Sequence, residues 1–507
     1  MAEAPQKDAG KRPLPGSPEA RESGRRNLNS QIAQRQKMLL AGIGAIALIG
    51  GGMFIFGGDG DEGGSDANGA ATIDTGGLVN RNLSQREFVA SYGNRLDAQA
   101  HIAPMQGEYL GGVIPHLLLV GRRGQPLWWS PFENTAGNHN IAICGKSGSG
   151  KSVLLQELCA ALRGAGAKVV VIDDGRSFEH SVKLQGGRFV EFTLASGFSL
   201  NPFSMVDDAR AHEDEDYRLD CFAMIKAIVG QMARPGTAPS DTERGLIDRA
   251  VTATWEALGS GASVDDVAHA LHGSESEAGR DLATAIAPFC RGGSYGGFFA
   301  GKASFALDDD FTVFEMSDLA SREELRSVVL SAIMFMTSQA MTRSSRATKK
   351  LLLIDEAWAM LKGGSMGEFV ETYARTARKY GGALATATQS LNDYYKSDGA
   401  RAALENSDWM LVLQQKAETI ADFRANARLD MDDRTETLIR SLKRSGTEYS
   451  EVFIKGPETE AVGRLVLDPF SATIYSSDPD TYAAIQDCER RGHSLADAIR
   501  IVAGGGQ

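Results

Sequence analysis

The sequence predicts an α/β fold: a doubly wound, mainly parallel sheet with an all-helical insertion, preceded by a single transmembrane helix. Three observations predict it. Gly145-Lys146-Ser147-Gly148-Ser149-Gly150-Lys151-Ser152 fits the phosphate-loop pattern G-x-x-x-x-G-K-[ST], between an apolar strand-like run and a run with helical spacing. From about residue 106 onward, short apolar runs alternate with helical ones, the pattern of strands buried between helices. Met38 to Phe56 is 19 residues without a charged side chain, near the length that spans a bilayer.

Composition narrows the classes. A chain of 507 residues is too long for one core and has room for two or three domains. Its formal net charge of -12 argues against a chain-wide nucleic-acid coat, which would be basic, and leaves a local basic patch open. The five cysteines lie far apart with no C-x-x-C pair. They read as reduced thiols, not as a disulfide framework or a zinc site.

Taken in order, residues 1–37 are polar, with eight Lys/Arg against four Asp/Glu, and read as a disordered basic cytoplasmic tail. Residues 38–56 are the transmembrane helix, whose glycines would allow close helix packing. Residues 57–105 read as a flexible linker, acidic and Gly-rich at first, with a short helical or irregular polar stretch from Arg81 to Ala100. Basic residues before the span and acidic ones after it keep the N-terminus in the cytoplasm by the positive-inside rule. One span then puts everything after residue 57 on the far side of a bacterial inner membrane, where there is little ATP. A phosphate loop calls for the cytoplasm, so these two signals oppose each other.

Residues 106–507 read as one P-loop domain. Ile114 to Val120 and Gln125 to Trp129 are strands that lead into the phosphate-loop strand, His139 to Cys144. Ala167 to Asp173, Phe311 to Met316, Leu351 to Ile354, Gly382 to Thr388 and Trp409 to Gln414 complete five or six parallel candidates. Residues 205–290 hold helical runs, Tyr217 to Met232 and Thr242 to Leu258 being the clearest, and form the insertion. Glu323 to Met341 is a long helix. Glu448 to Ile454 and Ala461 to Leu467 bracket Gly456-Pro457 as a hairpin, and a helix runs from Pro479 to Arg491.

The chemistry lies where these segments end. Backbone N–H groups of Gly145 to Ser152 and the helix N-terminus form an anion site for ATP. Lys151 reaches the β- and γ-phosphates, and the Ser152 hydroxyl sits on Mg²⁺. Leu351-Leu352-Leu353-Ile354-Asp355-Glu356 is an apolar strand ending in two acids. Asp355 is the Mg²⁺ ligand, and Glu356 orients and deprotonates the attacking water. Gln389, at the tip of the next strand, either reads the γ-phosphate and positions water or closes an ordinary turn. Arg375 and Arg378 share one face of a helix from Gly367 to Tyr380, either as an arginine finger for a neighbour's γ-phosphate or as a solvated basic face.

The stretches SGSGKS (147–152), IDDGRSFEHSVKLQGG (172–187), SLNPF (199–203), YGGFF (295–299), IDEAWAML (354–361), RTARKYGG (375–382), ATQSLNDYY (387–395) and LENSDWML (404–411) resemble the conjugative-transfer ATPases of type IV secretion systems, the F-type TraC-like branch of the HerA/FtsK superfamily. The resemblance covers residues 106 to 500. It implies a RecA-like domain with a helical insertion, a homo-hexamer, and ATP hydrolysis that drives pilus assembly and substrate transfer alongside other secretion components at the inner membrane. It supports Lys151, Ser152, Asp355, Glu356 and Gln389 individually, and Arg375 or Arg378 more loosely. Residues 1 to about 97 resemble instead the N-terminus of TraB-like inner-membrane scaffold proteins. Two other functions remain in view: a membrane-anchored DNA-translocating coupling protein of the same superfamily, which would contact DNA directly, and a scaffold–ATPase fusion whose ATPase domain is idle.

Overall fold

The computed structural model describes residues 71–73, 81–83, 111–135, 137–195, 197–304, 307–361, 366–426, 431–457 and 459–505. The chain divides into two units, residues 33–110 forming one and residues 111–507 falling in the other. In the first, β1 (Ala71–Ile73) pairs antiparallel with β2 (Arg81–Leu83), Ala71 opposite Leu83. A strand thus begins at Arg81, where the sequence suggests a helical or irregular stretch. The expected tail, residues 1–37, and the expected span, residues 38–56, lie outside the described residues. Among those described, no helix is long and apolar enough to cross a membrane.

The second unit is built on a sheet of twelve strands. In chain order they are β3 (Leu117–Gly121), β4 (Pro126–Trp129), β5 (Ile141–Cys144), β6 (Lys168–Asp173), β7 (Arg188–Glu191), β8 (Phe311–Glu315), β9 (Lys350–Ile354), β10 (Gly382–Thr388), β11 (Trp409–Val412), β12 (Arg444–Ser445), β13 (Tyr449–Lys455) and β14 (Glu460–Leu465). Their spatial order is β4-β3-β14-β13-β11-β5-β10-β9-β6-β8-β7, with β12 on β13. From β11 to β7 the pairings are all parallel. From β11 outward through β13, β14, β3 and β4 they are antiparallel. The parallel set therefore has seven members, one more than the sequence suggests. The two early strands do not adjoin β5 but complete an antiparallel wing with the C-terminal hairpin.

Side-chain patterning accounts for the division. β5, β8, β9 and β10 are buried at every position, as strands covered by helices on both faces must be. β3 and β14 alternate between buried and part-exposed positions, the signature of a sheet with one wet face. In the wing, the buried Glu451 carboxylate accepts from Arg122 Nη2 at 2.8 Å and Arg464 Nε at 3.2 Å, tying β13 to the turn after β3 and to β14.

After β5 comes α1 (Lys151–Gly164). Between β7 and β8 lies the helical insertion, which includes α2 (Glu215–Ala233), α3 (Asp241–Leu258), α4 (Val264–His272) and α5 (Glu277–Ile286). α3 and α4 each start with a capping box, Ser240 with Glu243 and Ser263 with Asp266. α6 (Glu323–Arg343) is buried nearly all round, consistent with its lack of a polar face. It packs between α2 and α7 (Met366–Lys379) and joins the insertion to the sheet.

Strand register aligns the ends of the central strands. Cys144 at the end of β5 pairs with Thr388 at the end of β10. Ile354 at the end of β9 pairs with Thr386 of β10 and with Ile172 of β6. The residues just after these strands emerge side by side at the C-terminal edge of the parallel sheet, where α/β sheets hold ligands.

Candidate active site

The phosphate loop leaves β5 under tight control. Gly145 N–H donates to the Thr388 carbonyl at 3.1 Å, and Lys146 N–H to the Gln414 carbonyl at 2.9 Å. These bonds clamp the loop between the ends of β10 and β11. Two positions require glycine. Gly150, at φ 95°, lies so close to β13 that a Cβ there would fall 2.2 Å from Ser450 Oγ. Gly148 has a φ of 77°, which L side chains rarely adopt. Gly150 caps α1 without any side-chain hydrogen bond, so the first-turn N–H donors of the helix are left for an anion. That is the local reason this loop suits an anion.

Lys151 is buried, with its Nζ between the two acids that follow β9. It contacts Asp355 Oδ1 and lies 3.2 Å from Glu356 Oε1. Burial alone would lower its pKa, but the charges of Asp355 and Glu356 outweigh burial and raise it. Lys151 is therefore a cation at every physiological pH. Gln389 Nε2 donates to the same Glu356 Oε1 at 3.1 Å. Asp355 is fixed from below by its own N–H, which donates to the Ile172 carbonyl at 3.0 Å, and its Oδ1 accepts from Glu356 N–H at 2.9 Å. Glu356 sits in the left-handed region, at φ 51° and ψ 39°. A non-glycine residue held there stores roughly 1–3 kcal/mol, and such strain collects at functional sites.

Four residues singled out in the sequence are thus joined by direct hydrogen bonds: Lys151, Asp355, Glu356 and Gln389. Ser152, half-buried in the first turn of α1, is adjacent in the chain. No group of three or more His, Cys, Asp or Glu among the described residues could hold a metal by itself. Two oxygen donors, Ser152 and Asp355, suit Mg²⁺, which takes few protein ligands and completes its shell with water and phosphate.

Arg375 and Arg378 are not brought to this loop. α7 leads from the Asp355 side back toward the start of β10, so its last turns approach the opposite edge of the sheet. Arg375, 68% exposed, pairs with Asp220 of α2 at 2.9 Å. Arg378 is exposed, and its charge acts on His139, ahead of β5.

Two features have no assigned role in the sequence. Beside Asp355, at the end of β6, Asp173 is fully buried and accepts from Asp174 N–H at 3.0 Å and Phe178 N–H at 3.1 Å. Burial, then the charges of Glu315 and Asp355, push its pKa up to about 8. Asp173 thus binds its proton more tightly folded than unfolded, where the value is about 4. Its contribution to stability is full below the unfolded value and is lost as pH rises through about 8. The melting temperature is expected to fall from about pH 6 to about pH 8, and Asp173→Asn to flatten that slope. An unchanged slope in thermal melts of the variant would refute this.

The second feature is Arg444 on β12, whose Nη1 donates to the Gly148 carbonyl at 3.0 Å. No motif points to it, because 296 residues separate the partners.

Comparison with known proteins matches residues 125–264 and 276–505 to the TraG P-loop domain. Protein TraC of Escherichia coli (strain K12) is 28% identical over 391 residues, covering 74% of this chain and 43% of that protein. The type IV secretion system protein virB4 of Bartonella quintana (strain Toulouse) is 22% identical over 413 residues, covering 76% of this chain and 49% of its own length. The match thus spans less than half the length of these curated relatives. The solved structure of VirB4 of Thermoanaerobacter pseudethanolicus aligns at a TM-score of 0.57 and 17% identity, over 70% of this chain and 97% of that one. That likeness is one of fold.

Proposed function

The chain belongs to the TraG P-loop domain family, and we propose that it is an Mg²⁺-dependent ATPase, the motor of a conjugative type IV secretion system that powers pilus assembly and the transfer of DNA or protein substrate. One observation carries the reading: Lys151, Asp355, Glu356 and Gln389 converge through hydrogen bonds at the mouth of an uncapped helix N-terminus.

The loop N–H groups take the phosphate oxygens, and Lys151 turns from the two carboxylates to the β- and γ-phosphates. Asp355 and Ser152 would hold Mg²⁺, which would supply charge neutralisation at the phosphates. Released from Lys151, Glu356 accepts a proton from the attacking water. Gln389, already bonded to Glu356, holds that water in line. The test is phosphate release from ATP by the purified full chain. No release, or release that persists when magnesium is chelated, would sink the reading and favour an idle domain.

The motor assembles as a homo-hexamer in which Arg375 or Arg378, away from its own loop, serves a neighbour's phosphates. Met38 to Phe56 anchor it in the inner membrane, with the ATPase domain in the cytoplasm. Protease digestion of the domain in intact spheroplasts would overturn that topology.

A further inference from the structure

We propose that Arg444 is a phosphate-binding residue of the nucleotide site, supplied in cis by the antiparallel wing; this rests on the ATPase reading. Three observations lead to it. The first is position: Nη1 of Arg444 donates to the carbonyl of Gly148, in the middle of the phosphate loop.

The second is how firmly that position is set. Arg444 pairs with Ser450 across β12 and β13, and Ser450 is the residue packed against Gly150. Next to it, Lys443 N–H donates to the buried Glu451 carboxylate at 3.2 Å, and Glu451 is held in turn by Arg122 and Arg464. The hairpin is therefore fastened to the loop on one side and to the wing on the other.

The third is charge. Arg122, Arg424, Arg440 and Arg464 in and around this wing each pair with a carboxylate. Arg444 does not. Its partners among the described residues are two backbone carbonyls, Gly148 and Gly446, the latter at 3.0 Å from Nε. Carbonyls orient a guanidinium without neutralising it. Two donors are used for orientation, and the rest of the planar fork is left for an anion. An uncompensated cation fixed to the rim of a phosphate loop suits one ligand chemistry, the phosphate chain of a nucleoside di- or triphosphate. A purely structural brace would need only the hydrogen bond to Gly148, not the charge.

The variants separate these roles. Arg444→Gln loses the charge, and its shorter amide stands near the place of Nε, within reach of the Gly446 carbonyl, while Arg444→Lys keeps the charge on a longer stem. The full chain is titrated with fluorescent ADP and with a non-hydrolysable ATP analogue, and KM and kcat for ATP are measured. Arg444→Gln is expected to weaken binding by about tenfold and to raise KM more than it lowers kcat. Arg444→Lys keeps the charge without the planar fork and should recover part of the loss, with an affinity between those of Arg444→Gln and wild type. Because the side chain is exposed, thermal melts without nucleotide should be unchanged in both variants. Wild-type affinity in Arg444→Gln would overturn the inference alone. Failure of the wild-type chain to bind either nucleotide would overturn the ATPase reading and this inference with it.

Discussion

Lys151→Ala is expected to reduce ATP hydrolysis by on the order of 10²–10³ or more, the loss that accompanies removal of a fixed donor aimed at developing charge. Its neighbours, as well as its place in the motif, set that size. Lys151 is the cation that meets both acids after β9, and it is buried with them. Truncating it removes the cation set against Asp355 and Glu356 where phosphate oxygens would enter. Affinity for nucleotide should fall as well as turnover. The free protein should also melt lower, because a buried carboxylate that loses its counter-charge costs about 3 kcal/mol. Phosphate release is therefore measured at a temperature where melts show the variant folded. Activity within about tenfold of wild type would mean that Lys151 does not touch the transferred phosphate.

The parts of this site that the sequence disclosed are those whose geometry is local. The phosphate loop is contiguous, and of its two left-handed glycines Gly150 is fixed by the motif while Gly148 fills one of its open positions. Asp355 and Glu356 come after a strand buried at every position, so its apolar run could be read without knowing its neighbours. Gln389 was legible because β10 directly follows the helix after β9 and ends beside the loop. What escaped depends on pairings between distant segments. β7, with only Val190 fully buried, offers no apolar run and looks like a loop. β3 and β4 read correctly as strands, yet the other partner of β3, β14, comes more than 300 residues later, and no periodicity reports that. Arg444 belongs to the same class: only the fold of the hairpin onto Gly150 brings it to Gly148. The shared face of Arg375 and Arg378 was legible, but not the tie of Arg375 to Asp220 on α2.

Glu356→Gln is expected to separate binding from turnover. The substitution changes one oxygen for an amide and keeps the length of the side chain. Its remaining oxygen can still accept from Lys151 and Gln389, so the local network persists. The left-handed backbone at φ 51° is no worse for Gln than for Glu, and stability should be close to wild type. Nucleotide affinity should hold or rise, since a negative charge near the phosphates is gone. The amide cannot accept a proton from water, so kcat should fall by about 10²–10⁴. That pattern, intact binding with turnover lost, differs from the one expected of Lys151→Ala, where both fall. It also discriminates between the two acids after β9, because Asp355→Asn would weaken the magnesium-dependent part of binding. If Glu356→Gln hydrolyses ATP within about threefold of wild type, the proton acceptor lies elsewhere. Asp173 is a poor substitute, because burial holds its proton up to about pH 8 and its oxygens are engaged by Asp174 and Phe178 N–H groups.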